Sequence, residues 1–401
     1  MPLYISSFFQ SLVFWYAIEK VFMVHIGFTA TLIAVDVIVM NVVGLVLNIP
    51  SGILADRWSR KGIVTVAISA LVISSLLLGL SHSVLAYIIF SALFGVYFGL
   101  HDGVYDSMIY DTLLEENKSR KGFEKYLGYY NLCASAALII GSLLGAIIGS
   151  KYGLKTTYFL SLPGGIVSII ALFFFKEPKL HKKHSNVEVF PHIKQTFGAI
   201  FQRGYIAWIL VALLASAILF DFTLEIDQLW PLALHLKLIY YGPLNALLLA
   251  GYGIGGGLAT LLLKKRVFVI VACVLGLVST TALLVHNMLI IAAAQFGVVC
   301  LFVSLYTMAL GKLHDTLPSR LRSSSSSTVN MLTSVAFIPL VFVFGNITQH
   351  RSVFVAARML IPVALLSVIG FLLLSRRRNG QILTLDEPEK RGIIPNPTVT
   401  L

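Results

Sequence analysis

Charge is scarce in this sequence. Asp, Glu, Lys and Arg make up 12% of its 401 residues, and the acids are the scarcer half, 18 against 30 basic residues. Cysteine is scarcer still: Cys133, Cys273 and Cys300 all sit in apolar runs with no CxxC pair, which argues against a disulfide framework or a zinc site. There is no GxxxxGK[ST] phosphate loop, no HExxH and no nucleophile motif, so neither an ATP-driven pump nor an intramembrane enzyme is indicated, and no cofactor is expected. His184 and His192 are too far apart to share a helical turn, so no metal is expected either. The alternation of apolar and polar residues that marks half-buried strands is missing. The first apolar stretch has no basic residue before it and no small-residue cleavage pattern, so a cleavable signal peptide is not expected.

What the sequence has in abundance is hydrophobic residues, 57% of the total, arranged in blocks of about twenty. That is the length at which a helix rising about 1.5 Å per residue spans the hydrocarbon of a bilayer. Twelve spans are predicted, at 4–23, 28–51, 62–81, 84–110, 127–150, 156–175, 205–234, 241–263, 267–285, 288–311, 326–347 and 352–375. The net charge of +12 would suggest nucleic acid in a soluble protein, but the basic residues are sorted between short loops. With both termini cytoplasmic, all but Lys20, Lys151, Lys155, Lys237, Arg351 and Arg358 fall on the inside, as the positive-inside rule requires.

The longest polar segment separates two halves of nearly equal length. The expected organisation is an N-terminal six-helix bundle over 1–180, a cytoplasmic linker over 181–204, a C-terminal six-helix bundle over 205–376 and a polar, proline-containing cytoplasmic tail over 377–401. In the linker Phe190, Ile193, Phe197, Ile200 and Phe201 recur at helical spacing, as in a helix lying in the headgroup plane. A faint internal repeat supports the division: Ile18-Glu19-Lys20 in the first span answers to Ile226-Asp227-Gln228 in the seventh, and Gly52 with its basic loop answers to Gly257 with Lys264, Lys265 and Arg266.

Between the second and third spans stands Gly52-Ile-Leu-Ala-Asp56-Arg57-Trp-Ser59-Arg60-Lys61. This resembles the GxLaDRxGRK signature of the major facilitator superfamily, with Ser59 in place of the usual Gly. Ile49-Pro50-Ser51-Gly52 resembles the IPTG entry of bacterial efflux-type members, and Gly103 to Leu113 is similar to their GxxEAxxYDSL run. Gly141-Ser142-Leu-Leu-Gly145-Ala146 resembles the GPxxGG antiporter signature more distantly, and Gly141, Gly145 and Gly149 equally describe close helix packing. The arginine that many proton-coupled antiporters carry in the fourth span is replaced by Gly95. The resemblance implies an all-α membrane protein of twelve transmembrane helices in two pseudo-symmetric six-helix bundles. It also implies a cytoplasmic gate of Gly52, Asp56, Arg57, Arg60, Lys61, Asp106 and Asp111. In that gate Asp56 would face the start of the eleventh helix, and Arg57 and Arg60 would pair with Asp106 or Asp111.

An ionisable group inside a bilayer costs about 2.5 to 3.5 kcal/mol on insertion scales, so those present are candidates for function. Asp221 lies near the middle of the long seventh span and Glu225 is four residues on, so both carboxylates share a face and can compete for a proton. They are the leading proton-coupling candidates, followed by His101 and Asp102 in the fourth span. Glu19, Asp36, Tyr105, Asp227, Gln228 and Trp230 are candidates for the substrate cavity, although Glu19 has Lys20 as a local partner and aromatics near span ends often anchor at the interface. The expected function is secondary transport by alternating access, as proton-coupled efflux of a small amphipathic compound or drug, with uptake of a metabolite as the alternative. The expected partners are that small molecule, protons and the lipid bilayer of the plasma membrane, with no nucleic acid and a monomeric state.

Overall fold

The computed structural model describes residues 1–101, 104–117, 123–177, 204–316 and 322–376, and every regular element among them is a helix. Inside a bilayer no water satisfies N–H and C=O groups, so long apolar blocks must close their own hydrogen bonds. The first half contains α1 (Pro2–Gln10), α2 (Glu19–His25), α3 (Ala30–Arg57), α4 (Arg60–Leu80), α5 (Val84–His101), α6 (Val104–Asn117), α7 (Phe123–Tyr152) and α8 (Leu154–Phe173). The second contains α9 (Gly204–Ile226), α10 (Leu229–Ala233), α11 (Tyr241–Leu262), α12 (Arg266–Ala282), α13 (Met288–Thr316), α14 (Arg322–His350), α15 (Val353–Ala356) and α16 (Leu360–Arg376). Among the described residues ten segments are long and apolar enough to cross a membrane, and α12 is a shorter apolar helix of 17 residues. The expected linker helix and the tail lie outside the described residues.

The first expected span, 4–23, is not one helix. Residues 11–15 leave the helical path, Tyr16–Ile18 make a single 3-10 turn, and α2 resumes at Glu19. Ser11-Leu12-Val13-Phe14-Trp15 contains no Gly or Pro, so the cause is tertiary. On α7, a Cβ at Gly141 would come to 2.5 Å from Val13 O and one at Gly145 would overlap Phe14 O; on α8, one at Gly164 would lie 2.7 Å from Phe9 O. These glycines therefore admit unwound backbone, where the sequence suggested helix packing. Ser161 of α8 accepts a hydrogen bond from Phe14 N at 2.9 Å, satisfying a donor freed by the break.

The seventh span is also interrupted. α9 ends at Ile226, Asp227 and Gln228 form a turn, and α10 follows, so the expected helix to 234 is two pieces. The expected fourth span is divided into α5 and α6, on either side of 102–103, which lie outside the described residues. The twelfth starts as α15, passes through a 3-10 turn at Ala357–Met359 and continues as α16.

Within the first half α3 packs on α5, α4 on α5 and α8, and α1 on α7 and α8; within the second, α13 packs on α9, α11 and α12, and α16 on α9 and α12. The halves meet through α3 on α14 and α7 on α11. The closest of these contacts lie near the ends remote from the basic loops. Gly345 of α14 admits Ala30 and Ala34 of α3, and Gly242 of α11 admits Ser142 and Ala146 of α7, with a Cβ at Gly242 falling 2.5 Å from Ser142 O. Thr31 N also donates to Gln349 Oε1 at 3.2 Å. Nearer the basic loops the same helices carry exposed side chains: Val42 and Val46 on α3, Tyr126 and Tyr129 on α7, Tyr252 and Ile254 on α11, and Val335 on α14.

Gly145→Ala forces a methyl group into the Phe14 carbonyl and is expected to lower stability by about 1–3 kcal/mol, the usual range for overpacking. Gly256→Ala, on α11 with nothing within 4 Å of the added Cβ, is expected to be neutral or slightly stabilising. Thermal unfolding of the two variants in detergent checks this, and equal melting temperatures would contradict the role given to Gly145.

Candidate functional site

The two chain breaks face each other across the boundary between halves. Lys20, counted from the sequence as a residue of an outside loop, is instead 2% exposed in the core. Its ammonium donates to Glu19 Oε2 at 2.7 Å and to Glu225 Oε1 of α9 at 3.1 Å. Its backbone N–H donates to Gln228 Oε1 at 2.9 Å, and Gln228 Nε2 donates to Tyr16 O at 2.9 Å. The two segments read as a repeat, Ile18-Glu19-Lys20 and Ile226-Asp227-Gln228, thus hold each other. Broken helices make this possible, because the freed amide and carbonyl groups need partners and the opposite break supplies them.

Around this triad the network is dense. Tyr87 OH donates to Glu19 Oε1 at 3.3 Å and shares a 3.0 Å hydrogen bond with Tyr158, on which Trp15 stacks at 5.1 Å. Asp36 accepts from Ser91 Oγ at 2.6 Å. Asn245 of α11 donates to Asp227 Oδ2 at 3.3 Å and accepts from Ser142 Oγ of α7 at 2.8 Å, while Gln295 of α13 donates to Asp227 O at 3.1 Å. Trp230 is enclosed and donates from its indole to Leu283 O at 3.0 Å, and Tyr105 is enclosed and donates to Leu3 O at 2.8 Å. Both are framework side chains here, held by burial and a backbone acceptor, where the sequence suggested a cavity lining.

Asp221 and Glu225 differ in their surroundings although they share a helix face. Glu225 is tied to Lys20, whereas Asp221 is half-buried, has Glu225 as its charged neighbour and lies beside Tyr306. Phe220 next to it is edge-on to Tyr252 and Tyr306. His101 at the end of α5 is 3.1 Å from Gln10 Nε2 at the end of α1, between the rings of Tyr97 and Tyr105. Asp102 lies outside the described residues. Among the described residues no three His, Cys, Asp or Glu side chains converge on a possible metal position.

At the opposite end stands the charged knot. Arg60 is ion-paired with Asp111 of α6 and donates to Ser107 O at 3.3 Å. Lys61 donates to the carbonyls of Phe173 and Phe175 at 3.1 and 2.8 Å, tying α4 to the end of α8. Ser59 caps α4 by accepting from Gly62 N at 2.9 Å, which is what a serine at the usual glycine position provides. The side chains of Asp56, Arg57 and Asp106, and the surroundings of Gly52, lie outside the described residues.

Sequence reasoning missed Glu177. It follows α8, accepts from Arg60 N and Ser59 Oγ at 2.6 Å each, and so places an anion on the orphan donors that open α4. The available signal was a lone carboxylate directly after an apolar span, opposite a basic helix start. Gly95 also acquires a reason: a Cβ there would lie 2.5 Å from Met40 O, so α5 and α3 are too close for the arginine found at this place in many antiporters.

A helical chain with many membrane-crossing segments, joined across its middle by buried charge, defines a multi-pass membrane transporter. The family model described as Major Facilitator Superfamily matches residues 1–341, and the chain belongs to that family; it is a transporter, not an enzyme. An uncharacterized transporter of Buchnera aphidicola subsp. Schizaphis graminum is 27% identical over 213 residues, and the match spans about half of each protein, 52% of both. A crystal structure of the nucleoside transporter NupG aligns with a TM-score of 0.77 at 11% identity, covering 93% of this chain and 98% of that one. A bacterial homologue of the human lysosomal transporter Spinster, inward-facing and occupied, aligns with a TM-score of 0.71 at 13% identity, covering 94% and 95%. A POT family transporter in complex with 5-aminolevulinic acid aligns at 0.66 with 12% identity, covering 94% and 95%. At these identities the solved structures share the fold.

Removing one partner of a buried ion pair strands the other, at a cost of about 3–5 kcal/mol, whereas losing a helix cap costs about 1 kcal/mol. Lys20→Met is therefore expected to destabilise the protein clearly more than Glu177→Gln. Side-by-side thermal unfolding ranks them, and a Lys20→Met protein as stable as the parent would contradict the triad.

Proposed function

We propose that this protein is a proton-coupled secondary transporter that exports a small amphipathic compound across the plasma membrane by alternating access. In this reading it is a monomer of twelve spans with cytoplasmic termini, whose bundles over 1–180 and 205–376 rock about the substrate. The basic loops then face the cytoplasm, and the close contacts of α3 with α14 and α7 with α11 lie at the outer face, closed in this state. The observation that carries the reading is Lys20, held between Glu19 of its own half and Glu225 of the other, inside an apolar interior.

Two carboxylates share one ammonium there, so the electroneutral triad contains one proton. A proton on Glu225 weakens the cross-half bridge and favours opening of the outer face. Its loss restores the bridge and closes that face. Asp221, one helical turn nearer the cytoplasm and not tied to Lys20, receives the proton from Glu225 and passes it inward. At the cytoplasmic face, Arg60 with Asp111, and Asp56 near the start of α14, act as the complementary latch. The export direction draws its support from the resemblance of residues 49–61 and 103–113 to efflux-type members.

The test uses proteoliposomes and the compound that most raises the melting temperature in a thermal screen. Glu225→Gln and Asp221→Asn are each expected to abolish accumulation driven by a pH gradient while substrate exchange survives, because an amide cannot release a proton. Gradient-driven flux unchanged in the double variant would overturn proton coupling through this helix and favour a facilitator.

A further inference from the structure

We propose that Asp227 is a second proton-binding site, separate from the Lys20 triad, filled while α7 and α11 are packed together and emptied when they part. Its place in the cycle rests on the proton-coupled reading above; its occupancy in the resting protein does not.

Asp227 directly follows the 23-residue helix α9, where unpaired carbonyls form the negative end of the helix dipole. A carboxylate at that end adds charge of the same sign. It is also 4% exposed, and its hydrogen-bonding is poor. Oδ2 accepts one long bond, 3.3 Å from Asn245 Nδ2, and Oδ1 is buried with no partner. An ionised carboxylate in a membrane interior requires several donors or a counter-ion.

The groups around it supply neither in sufficient number. The backbone N–H of Gln228 faces the carboxyl, Tyr16 approaches from the 3-10 turn, Tyr241 from α11, Glu225 from α9 and Lys20 from α2. Lys20 is the one cation in this set, and its ammonium is engaged by Glu19 at 2.7 Å and Glu225 at 3.1 Å. Gln295 of α13 bonds the main-chain oxygen of Asp227 and leaves the carboxyl alone. A proton on Oδ1 removes the charge, and Asn245 continues to donate to Oδ2. A bound metal cation would need a ring of oxygens, but Asn245 turns its nitrogen toward the carboxyl and its oxygen toward Ser142.

The same chain makes the site dependent on conformation. Ser142 of the first half donates to Asn245, and Asn245 donates to Asp227. Gly242, three residues before Asn245, is packed against the Ser142 carbonyl. Separation of α7 from α11 breaks the Ser142–Asn245 bond and admits water to the carboxyl. The carboxylic acid then ionises, its proton leaves to the outer water, and the resulting carboxylate is hydrated.

The test starts with infrared spectra of the full-length protein in detergent at neutral pH, in the carbonyl-stretch region of protonated carboxyl groups. The parent is expected to show a component that Asp227→Asn lacks and Glu225→Gln retains. Asn245→Ala, which removes the donor to Oδ2, is expected to keep that component and move it to higher frequency. An Asp227→Asn spectrum superimposable on the parent overturns the proposal, and if that variant does not fold, an unmoved component in Asn245→Ala does so. In proteoliposomes carrying the compound found by thermal screening, Asp227→Asn is expected to lower the protons moved per substrate by one, whereas Glu225→Gln abolishes coupled flux. An unchanged ratio overturns the emptying step. A parent protein with no gradient-driven flux but with the Asp227 component present overturns the coupled-transport reading and leaves the proton site standing.

Discussion

An ammonium group cannot remain in the middle of an apolar interior without an anion, and Lys20 finds anions on both sides of the molecular boundary. Glu19 precedes it on its own helix, and Glu225 arrives from the other half. This pairing fixes much of what surrounds it. The first segment has to break so that Lys20 can approach α9, the seventh has to end at Ile226 so that Gln228 can take the Lys20 N–H, and the glycines of α7 have to leave room for the displaced backbone. The tyrosines at 87 and 158 complete the hydrogen bonding of Glu19, and Trp15 covers them.

The molecule deals with its two ends differently. At the end remote from the basic loops, the halves are joined by buried polar groups and small residues, an arrangement that is sensitive to one proton and has little tolerance for partial separation. At the basic end, described contacts of the knot remain within the first half: Arg60 on Asp111, Lys61 on the end of α8, Glu177 on the start of α4. The knot is thereby assembled as a rigid corner, with Ser59 and Glu177 sharing the capping of α4. A rigid corner on one half suits a latch that engages and releases the other half without rebuilding itself.

Much of the fold was legible because a bilayer imposes a length on its helices, and the twenty-residue blocks between basic loops recorded it. The repeat of Ile18-Glu19-Lys20 and Ile226-Asp227-Gln228 was also readable, although nothing in the residues said that the two copies would touch. The break at 11–15 was not readable, since Leu12, Val13 and Phe14 favour no turn and its cause lies in glycines far along the chain. Lys20 was misplaced because a lysine at the end of an apolar run normally marks the membrane surface; its partner Glu225 is 205 residues away. The Asp221/Glu225 spacing correctly put two acids on one face, but only the tertiary structure distinguishes the acid that is bridged from the one that is not.

The central claim is that protonation of the cross-half bridge opens the outer face. Spin labels at Thr31→Cys on α3 and Gln349→Cys on α14, whose native residues are joined at that face, report it directly in a background without Cys133, Cys273 and Cys300. Pulsed dipolar distances are expected to shift to a longer population as pH falls in the parent, and to be long at every pH in Glu225→Gln. A single short distance at all pH values in both proteins would contradict the account.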